Sequence, residues 1–147
     1  MLRISKLTDY ATVVLTGLAD ADDVMSAQGL AERARLEPPT VQKVLKLLAQ
    51  AGLVDSFRGT HGGYRLARDP RVITVADIVA AIEGPFGMTE CSVHKGQCGY
   101  EPHCGVRVNW RRISVAVEAA LRGVTLADMA APRARKAIPL RVLEAEA

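Results

Sequence analysis

Three amphipathic segments followed by a glycine-tipped hairpin constrain the fold of this chain more than any other feature of its sequence. In each segment apolar residues recur at three- and four-residue spacing, which predicts three helices around one core. The core-facing residues are Leu7, Ala11, Val14 and Leu18, then Ala27, Leu30, Ala31 and Ala34, then Val41, Val44, Leu45 and Leu48. Only a few residues around Leu36 and Glu37 separate the second and third segments, so these helices are expected to lie side by side.

A short β-ribbon is predicted after the third helix. The runs 53–58 and 64–68 are strand-like, and residues 59–63 between them include three glycines. Glycines between two such runs are typical of a hairpin. Three helices followed by a hairpin is the order of a winged helix-turn-helix. The predicted fold class is therefore mainly α with a small β-hairpin wing, and in such a unit the third helix enters the major groove of DNA.

The second half of the chain predicts an irregular loop and a long helix. A capping-box sequence begins at Thr74, and Gly84 and Pro85 end the helix that follows it. Residues 86–103 show no periodicity. After them a coiled-coil-like seam of about two heptads is formed by Val106, Trp110, Ile113, Val117 and Ala120. The predicted parts are a DNA-binding domain (1–84), a cysteine-rich loop (85–104), a dimerisation helix with a short helix (105–130) and a flexible C-terminal tail (131–147).

The distribution of charge points to nucleic acid more clearly than its total does. The net charge of +3 is too small to indicate a partner by itself. Between residues 38 and 71, however, six basic residues face two acidic ones, and this is where the third helix and the hairpin are predicted. No leader sequence and no run of about 18 apolar residues is found, so a cytoplasmic protein without a membrane partner is expected.

The DNA-contacting residues are expected on the third helix and the wing. Gln42 and Lys43 lie in the first turns of that helix, where a Gln can pair with adenine and a Lys with guanine. Lys46 is one turn further on, at a distance suited to phosphate. The full candidate set is Thr40, Gln42, Lys43, Lys46, Ser56, Arg58, Gly59, His61 and Arg65. The alternative is a solvated helix face and a flexible hairpin in an interaction domain.

Three cysteines, spaced Cys91-x6-Cys98-x5-Cys104, form the second informative pattern. An odd number of closely placed cysteines argues against a disulfide framework and for ligands or redox thiols. Zinc ribbons use paired C-x2-C turns, which are absent here, and wider spacing in a glycine-rich loop suits an iron–sulfur cluster. A zinc site and unmetallated redox thiols remain alternatives. Three thiolates leave one ligand open, for which His103, His94 and Asp9 are candidates.

Enzymatic activity is not expected. A cysteine nucleophile needs a base beside it, and a catalytic zinc ion needs an open position. His94 and His103 are available, but no C-G-x-C or H-E-x-x-H motif is present. No small-molecule substrate is therefore predicted.

Several motifs resemble the winged-helix iron–sulfur regulators that include IscR, the nitric-oxide sensor NsrR and the regulators of SUF-type cluster-assembly operons. The likeness covers about residues 1–132. The motifs are MLRISKLTDYA at 1–11, RGTHGGYRL at 58–66, EGP at 83–85, the three spaced cysteines and Asn109-Trp110. The opening and TECS at 89–92 are most similar to the SUF-operon regulators.

The resemblance implies a homodimer built on the long helix, with each wing and third helix contacting half of a palindromic operator. It also implies ligation of a 2Fe–2S or 4Fe–4S cluster by the three cysteines. The implied function is a transcriptional regulator, expected to repress, that senses iron–sulfur status or redox or nitrosative stress and controls SUF-type genes.

Two departures from the IscR-like pattern affect the ligand set. The first cysteine gap is six residues instead of five, and Arg107 stands where those members have a histidine ligand. NsrR-like members use an aspartate at the start of the first helix of the partner subunit, and Asp9 matches that position. The resemblance therefore favours Asp9 as the fourth ligand, with His103 second.

Overall fold

The computed structural model describes residues 2–131, and the predicted tail from Pro132 onward lies outside the described residues. The described chain is mainly helical with one antiparallel hairpin, as predicted. Its elements are α1 (Lys6–Ala19), α2 (Ala27–Ala34), α3 (Pro38–Gln50), β1 (Val54–Phe57), β2 (Gly63–Leu66), α4 (Val75–Glu83), α5 (Glu90–Val93), a 3-10 turn (Glu101–His103), α6 (Arg107–Arg122) and α7 (Leu126–Ala130). None of these helices is both long and apolar enough to cross a membrane.

Local hydrogen bonds explain where the helices begin. Ser26 caps α2 by accepting a hydrogen bond from the Gly29 N–H at 3.0 Å, and serine is a preferred residue at this position. The predicted capping box of α4 is also present. The Asp77 N–H donates to Thr74 Oγ1 at 3.2 Å, and the Thr74 N–H donates to Asp77 Oδ2 at 2.9 Å. Each cap satisfies backbone donors that a helix leaves open in its first turn.

The turn between α2 and α3 is as short as predicted. The helix α2 ends at Ala34, and Arg35 adopts a left-handed conformation with φ 54°. This is the one positive φ at a non-glycine residue among residues 2–131. The reversal of backbone direction allows α3 to begin at Pro38, only three residues later.

One aliphatic core joins the two halves of the chain. Most residues of the predicted inner faces of α1, α2 and α3 are buried in it, together with Leu53, Val54, Ile73 and Ile78. Leu7, Ala27 and Ala34 of those faces are only half-buried. Leu126 of α7 is fully buried in the same core. The Leu126 N–H donates to the Ile73 carbonyl at 2.7 Å. The end of the described chain is therefore anchored on the head, the name used here for α1–α4 and the hairpin.

The hairpin is attached to the head by a short backbone bridge. In its register Val54 pairs with Leu66, and Asp55 pairs with Arg65. Met25, which precedes α2, exchanges two hydrogen bonds with Tyr64, at 2.9 and 2.7 Å. One face of the ribbon packs on the core through Val54, Tyr64 and Leu66.

Candidate functional site

The structure places the predicted recognition residues on the open side of α3. Gln42, Lys43 and Lys46 are exposed, Thr40 is half-buried, and Val41 and Val44 between them are fully buried. This alternation follows from helical periodicity, because the buried residues bring α3 onto α1 and α2. The exposed polar residues Gln42, Lys43 and Lys46 therefore face solvent and can contact another molecule.

The predicted wing residues Ser56, Arg58, Gly59, His61 and Arg65 are all exposed. They do not share one face. Ser56 pairs with the core-packed Tyr64, and Arg58, Gly59 and His61 lie in the turn. Arg65 lies on the opposite face, which is called the outer face of the wing and consists of Asp55, Phe57 and Arg65.

Phe57 was missed by the sequence analysis. Its ring is 39% exposed, and the Arg65 guanidinium carbon lies 4.7 Å from the ring centroid. The alternation of β1 residues could have indicated it, because Phe57 stands two positions after Asp55 and therefore on the same face.

One acidic residue of the basic region forms an internal ion pair. Arg71 Nη2 lies 2.7 Å from Asp69 Oδ2. Hydrogen bonds from the Arg71 side chain and then its backbone N–H hold the pKa of Asp69 at about 2, well below its usual range. Since this pair neutralises itself, the positive charge of the region comes mainly from the α3 lysines and from Arg58, Arg65 and Arg68.

The start of α1 is tied to the end of α4 by Glu83. Its Oε1 accepts hydrogen bonds from Thr8 Oγ1 at 2.6 Å and from the Ser5 N–H at 3.0 Å. The bond from Thr8, and then that from Ser5, lower the pKa of Glu83 because they favour the charged carboxylate. This junction fixes the first turn of α1, which carries Asp9, next to the point where the chain leaves the head.

The three cysteines are free thiols on one segment, residues 84–106, called here the cysteine loop. Cys91 lies in α5, Cys104 ends the 3-10 turn, and all three thiols are half-buried. Cys91 Sγ shares a hydrogen bond of 3.2 Å with the Thr89 hydroxyl. The loop is joined to α6 through Ser114, whose Oγ accepts a hydrogen bond from the Met88 N–H at 3.0 Å.

The predicted ligands are not assembled into a closed site within one chain. Among residues 2–131 no three His, Cys, Asp or Glu side chains form a group that could hold a metal ion. Asp9 is exposed on α1 and His103 is exposed in the cysteine loop. The donor set fits an iron–sulfur cluster, because three free thiols on one segment are the ligands such clusters use. The positions of the three thiols do not fit a cluster, because they are not grouped closely enough to share a metal ion. The cysteine loop would have to close for ligation, and the ligand set remains a prediction.

A carboxylate fastens the cysteine loop to the start of α6. Glu101 Oε2 accepts a hydrogen bond from the Gly96 N–H at 2.6 Å, and its Oε1 lies 2.5 Å from Arg107 Nη2. The Glu101 side chain is only 7% exposed. Arg107, at the position where IscR-like proteins have a histidine, is thus committed to an ion pair that fastens the loop to the first turn of α6.

Replacing Glu101 by Gln should loosen the cysteine loop. The amide side chain keeps nearly the same shape but loses the charge that both partners bind, and charged hydrogen bonds contribute about 1.5–3 kcal/mol each. We expect exchange of the Gly96 amide hydrogen to accelerate on the order of 10- to 100-fold. Hydrogen-exchange NMR measures this directly. Glu90→Gln, at an exposed residue of the same loop, is the control, and equal exchange rates in both variants would contradict the assignment.

The long helix α6 presents an apolar surface to solvent. Val106, Trp110 and Ile113 of the predicted seam are 53%, 38% and 43% exposed. Val108 and Val115 are 61% and 66% exposed. They lie seven residues apart and form a second apolar stripe, which is not part of the predicted seam. With 3.6 residues per turn the two stripes point to nearly opposite sides of α6, and exposed apolar residues of this kind are typical of a protein interface.

Comparison with known proteins places the chain among regulators. The Rrf2 family model, described as "Iron-dependent Transcriptional regulator", matches residues 4–132. NsrR of Bacillus subtilis is 30% identical over 131 residues, covering 87% of this chain and 90% of that protein. IscR of Vibrio cholerae is 27% identical over 130 residues, covering 87% and 75%.

Solved structures share the fold. CymR, titled the global cysteine regulator of B. subtilis, superposes with a TM-score of 0.68 at 32% identity, covering 88% of this chain and 97% of CymR. T. potens IscR superposes with a TM-score of 0.64 at 32% identity, covering 87% and 85%. Together these neighbours confirm the predicted winged-helix fold.

Proposed function

Since the chain belongs to the Rrf2 family of transcriptional regulators, we propose that it is a homodimeric repressor that senses cellular iron–sulfur or redox status through a cluster held by Cys91, Cys98 and Cys104. Family membership confirms the coarser prediction of a DNA-binding regulator that is not an enzyme. The observation that carries the finer proposal is the placement of three free, half-buried thiols on the one segment that connects the head to α6.

The DNA contacts are proposed to come from α3 and the wing. Gln42 and Lys43 would contact base edges, and Thr40 lies in the same first turns. The remaining candidates, Lys46, Ser56, Arg58, Gly59, His61 and Arg65, would approach phosphates or the minor groove. Support comes from the exposure of all of these residues except the half-buried Thr40. Contacts with phosphates would make the affinity strongly dependent on salt concentration.

A homodimer on α6 would place two heads on one palindromic operator. The exposed apolar residues Val108 and Val115, on one side of α6, support this arrangement because burying them would remove apolar area from water. The partner subunit's Asp9 is the preferred fourth ligand, because Asp9 matches the position at the start of the first helix that the resemblance assigns to this ligand. His103 is the second choice.

The proposed switch depends on how the chain fastens its loop. The cysteine loop leaves the head after Glu83, which is bonded to Thr8, and reaches α6 through Glu101 and Arg107. When bound, the cluster supplies a centre that oxidants or nitric oxide can alter. Closing of the loop around it would draw the three thiols together and change how α6 is held relative to the head. A ligand shifts such an equilibrium only by binding the two states differently.

Anaerobic purification of the full-length protein tests the proposal. We expect coloured protein that contains iron and acid-labile sulfide, and a colourless triple variant with all three cysteines changed to Ser. Binding to a duplex from the promoter of SUF-type genes should differ between the cluster-loaded and cluster-free forms. Colourless wild-type protein with bound zinc would support a zinc-bound regulator instead. Protein without metal but with oxidant-sensitive DNA binding would support a thiol switch. Equal affinity of both forms would exclude sensing through the cluster.

A further inference from the structure

We infer that Phe57 is a positioning residue which holds the Arg65 guanidinium in place for contact with a DNA phosphate. The inference rests on the proposed DNA-binding function of the wing and adds a residue that is absent from its set of contacts. The observation behind it is the cation–π contact of Arg65 with the Phe57 ring, with 4.7 Å between the guanidinium carbon and the ring centroid.

The sheet register makes this contact informative. Arg65 pairs directly with Asp55 across the ribbon, whereas Phe57 pairs with Gly63. A charged residue directly opposite an arginine is its usual partner on a sheet. Among the described residues, however, the ion pairs do not include Asp55 with Arg65. The guanidinium instead contacts the ring of Phe57, which is the diagonal neighbour of Arg65 on the ribbon. The residue opposite Phe57 is Gly63, which has no side chain to obstruct this contact.

Contact with an aromatic ring suits an arginine that binds a phosphate. A ring offers the guanidinium no strong hydrogen-bond acceptor, so its N–H groups remain able to form bidentate hydrogen bonds with phosphate oxygens. A carboxylate partner would occupy the same N–H groups. Phe57 therefore limits the motion of Arg65 without competing with the DNA. It also accounts for a large apolar ring that stays 39% exposed on a short strand.

The strands that carry Phe57 and Arg65 are held firmly against the head. Tyr64, next to Arg65, is bonded to Met25 through both of its backbone groups, and Val54 and Leu66 are held in or against the core. The strands are therefore anchored from one side only, and the outer face of the wing is left to solvent.

A mutant cycle on the full-length chain tests the inference. The probes are a duplex that the wild-type protein selects from a random pool and a scrambled duplex of the same composition, each titrated at several salt concentrations. Arg65→Gln should weaken binding to both duplexes and reduce the salt slope by about one. Phe57→Leu should weaken both by about two- to fivefold, the range of an exposed cation–π contact.

The decisive readout is non-additivity. If Phe57 acts through Arg65, the double variant binds like Arg65→Gln alone, and Phe57→Tyr, which keeps the ring, binds like the wild type. Losses that add in the double variant, or wild-type affinity in Phe57→Leu, would overturn the inference. Asp55→Asn is the matched control, because a loss there equal to that of Phe57→Leu would assign the positioning to Asp55.

Two further outcomes separate the inference from the function on which it rests. Wild-type protein that enriches no duplex from the random pool and does not bind the scrambled duplex would remove the DNA-binding proposal together with the inference. Salt-dependent wild-type binding that Phe57→Leu leaves unchanged would remove only the inference. Thermal unfolding of each variant shows whether the wing remains folded, and Phe57→Ile, which also lacks the ring, takes the place of Phe57→Leu if that variant is unstable.

Discussion

Replacing Leu126 by Ala is expected to lower the free energy of unfolding by about 2–5 kcal/mol, the range for truncating a fully buried leucine. Leu126 is completely buried in the core of the head although it belongs to the last described helix. Truncation removes apolar contacts and leaves a cavity that the surrounding residues of α1 and Ile73 fill only in part. Chemical denaturation followed by circular dichroism measures the loss.

Met129→Ala provides the matched control for this prediction. Met129 lies in the same short helix but is 41% exposed, so its truncation should change stability by less than about 0.5 kcal/mol. Similar losses in both variants would mean that α7 contributes only helix propensity. A loss below about 1 kcal/mol in Leu126→Ala would show that the head is stable without α7 docked on it.

Replacing Gly63 by Ala is expected to displace the wing from the head. Gly63 has φ +153°, and a Cβ built on it would lie less than 3.0 Å from the carbonyl group of Met25 and from a methyl group of Val24. Since the obstacle is backbone, the strand has to move. The move would weaken the two hydrogen bonds between Met25 and Tyr64. We expect a stability loss of about 1–3 kcal/mol.

The displaced wing should also weaken DNA binding on the order of tenfold, which is equivalent to one lost specific contact. Fluorescence anisotropy with the selected duplex measures this. Gly52→Ala, just before the hairpin, is the control, because Gly52 also has a positive φ (+72°) but a Cβ there would meet no atom within 4 Å and Gly52 is not a proposed DNA contact. If the two variants lost equal affinity, backbone strain would be the cause and not the contact with Met25.

The fold was largely predictable because its signals are local. The inner faces of α1, α2 and α3 repeat every three to four residues, and Ser26 and Thr74 cap the helices they precede. A helix start depends on a few neighbouring residues, so its hydrogen bonds can be foreseen from spacing alone. The short link between α2 and α3 likewise restricts how these helices can pack.

The candidate sites were predictable only in part. The exposed stripe of α3 follows from periodicity, and Gln42, Lys43 and Lys46 lie on it. The cysteine spacing indicated ligands, but the loop that carries them has no periodicity from which its path could be derived. The sequence therefore did not indicate that Glu101 binds both Gly96 and Arg107.

The sequence by itself determined the order of the elements, their caps and the grouping of the thiols on one segment, because each depends on residues close together in the chain. Tertiary structure alone decided that Glu83 binds Thr8, that Leu126 completes the core of the head and that Arg65 contacts the Phe57 ring instead of pairing with Asp55. Such contacts depend on the path of the folded backbone, which brings distant residues together and chooses among several chemically acceptable partners.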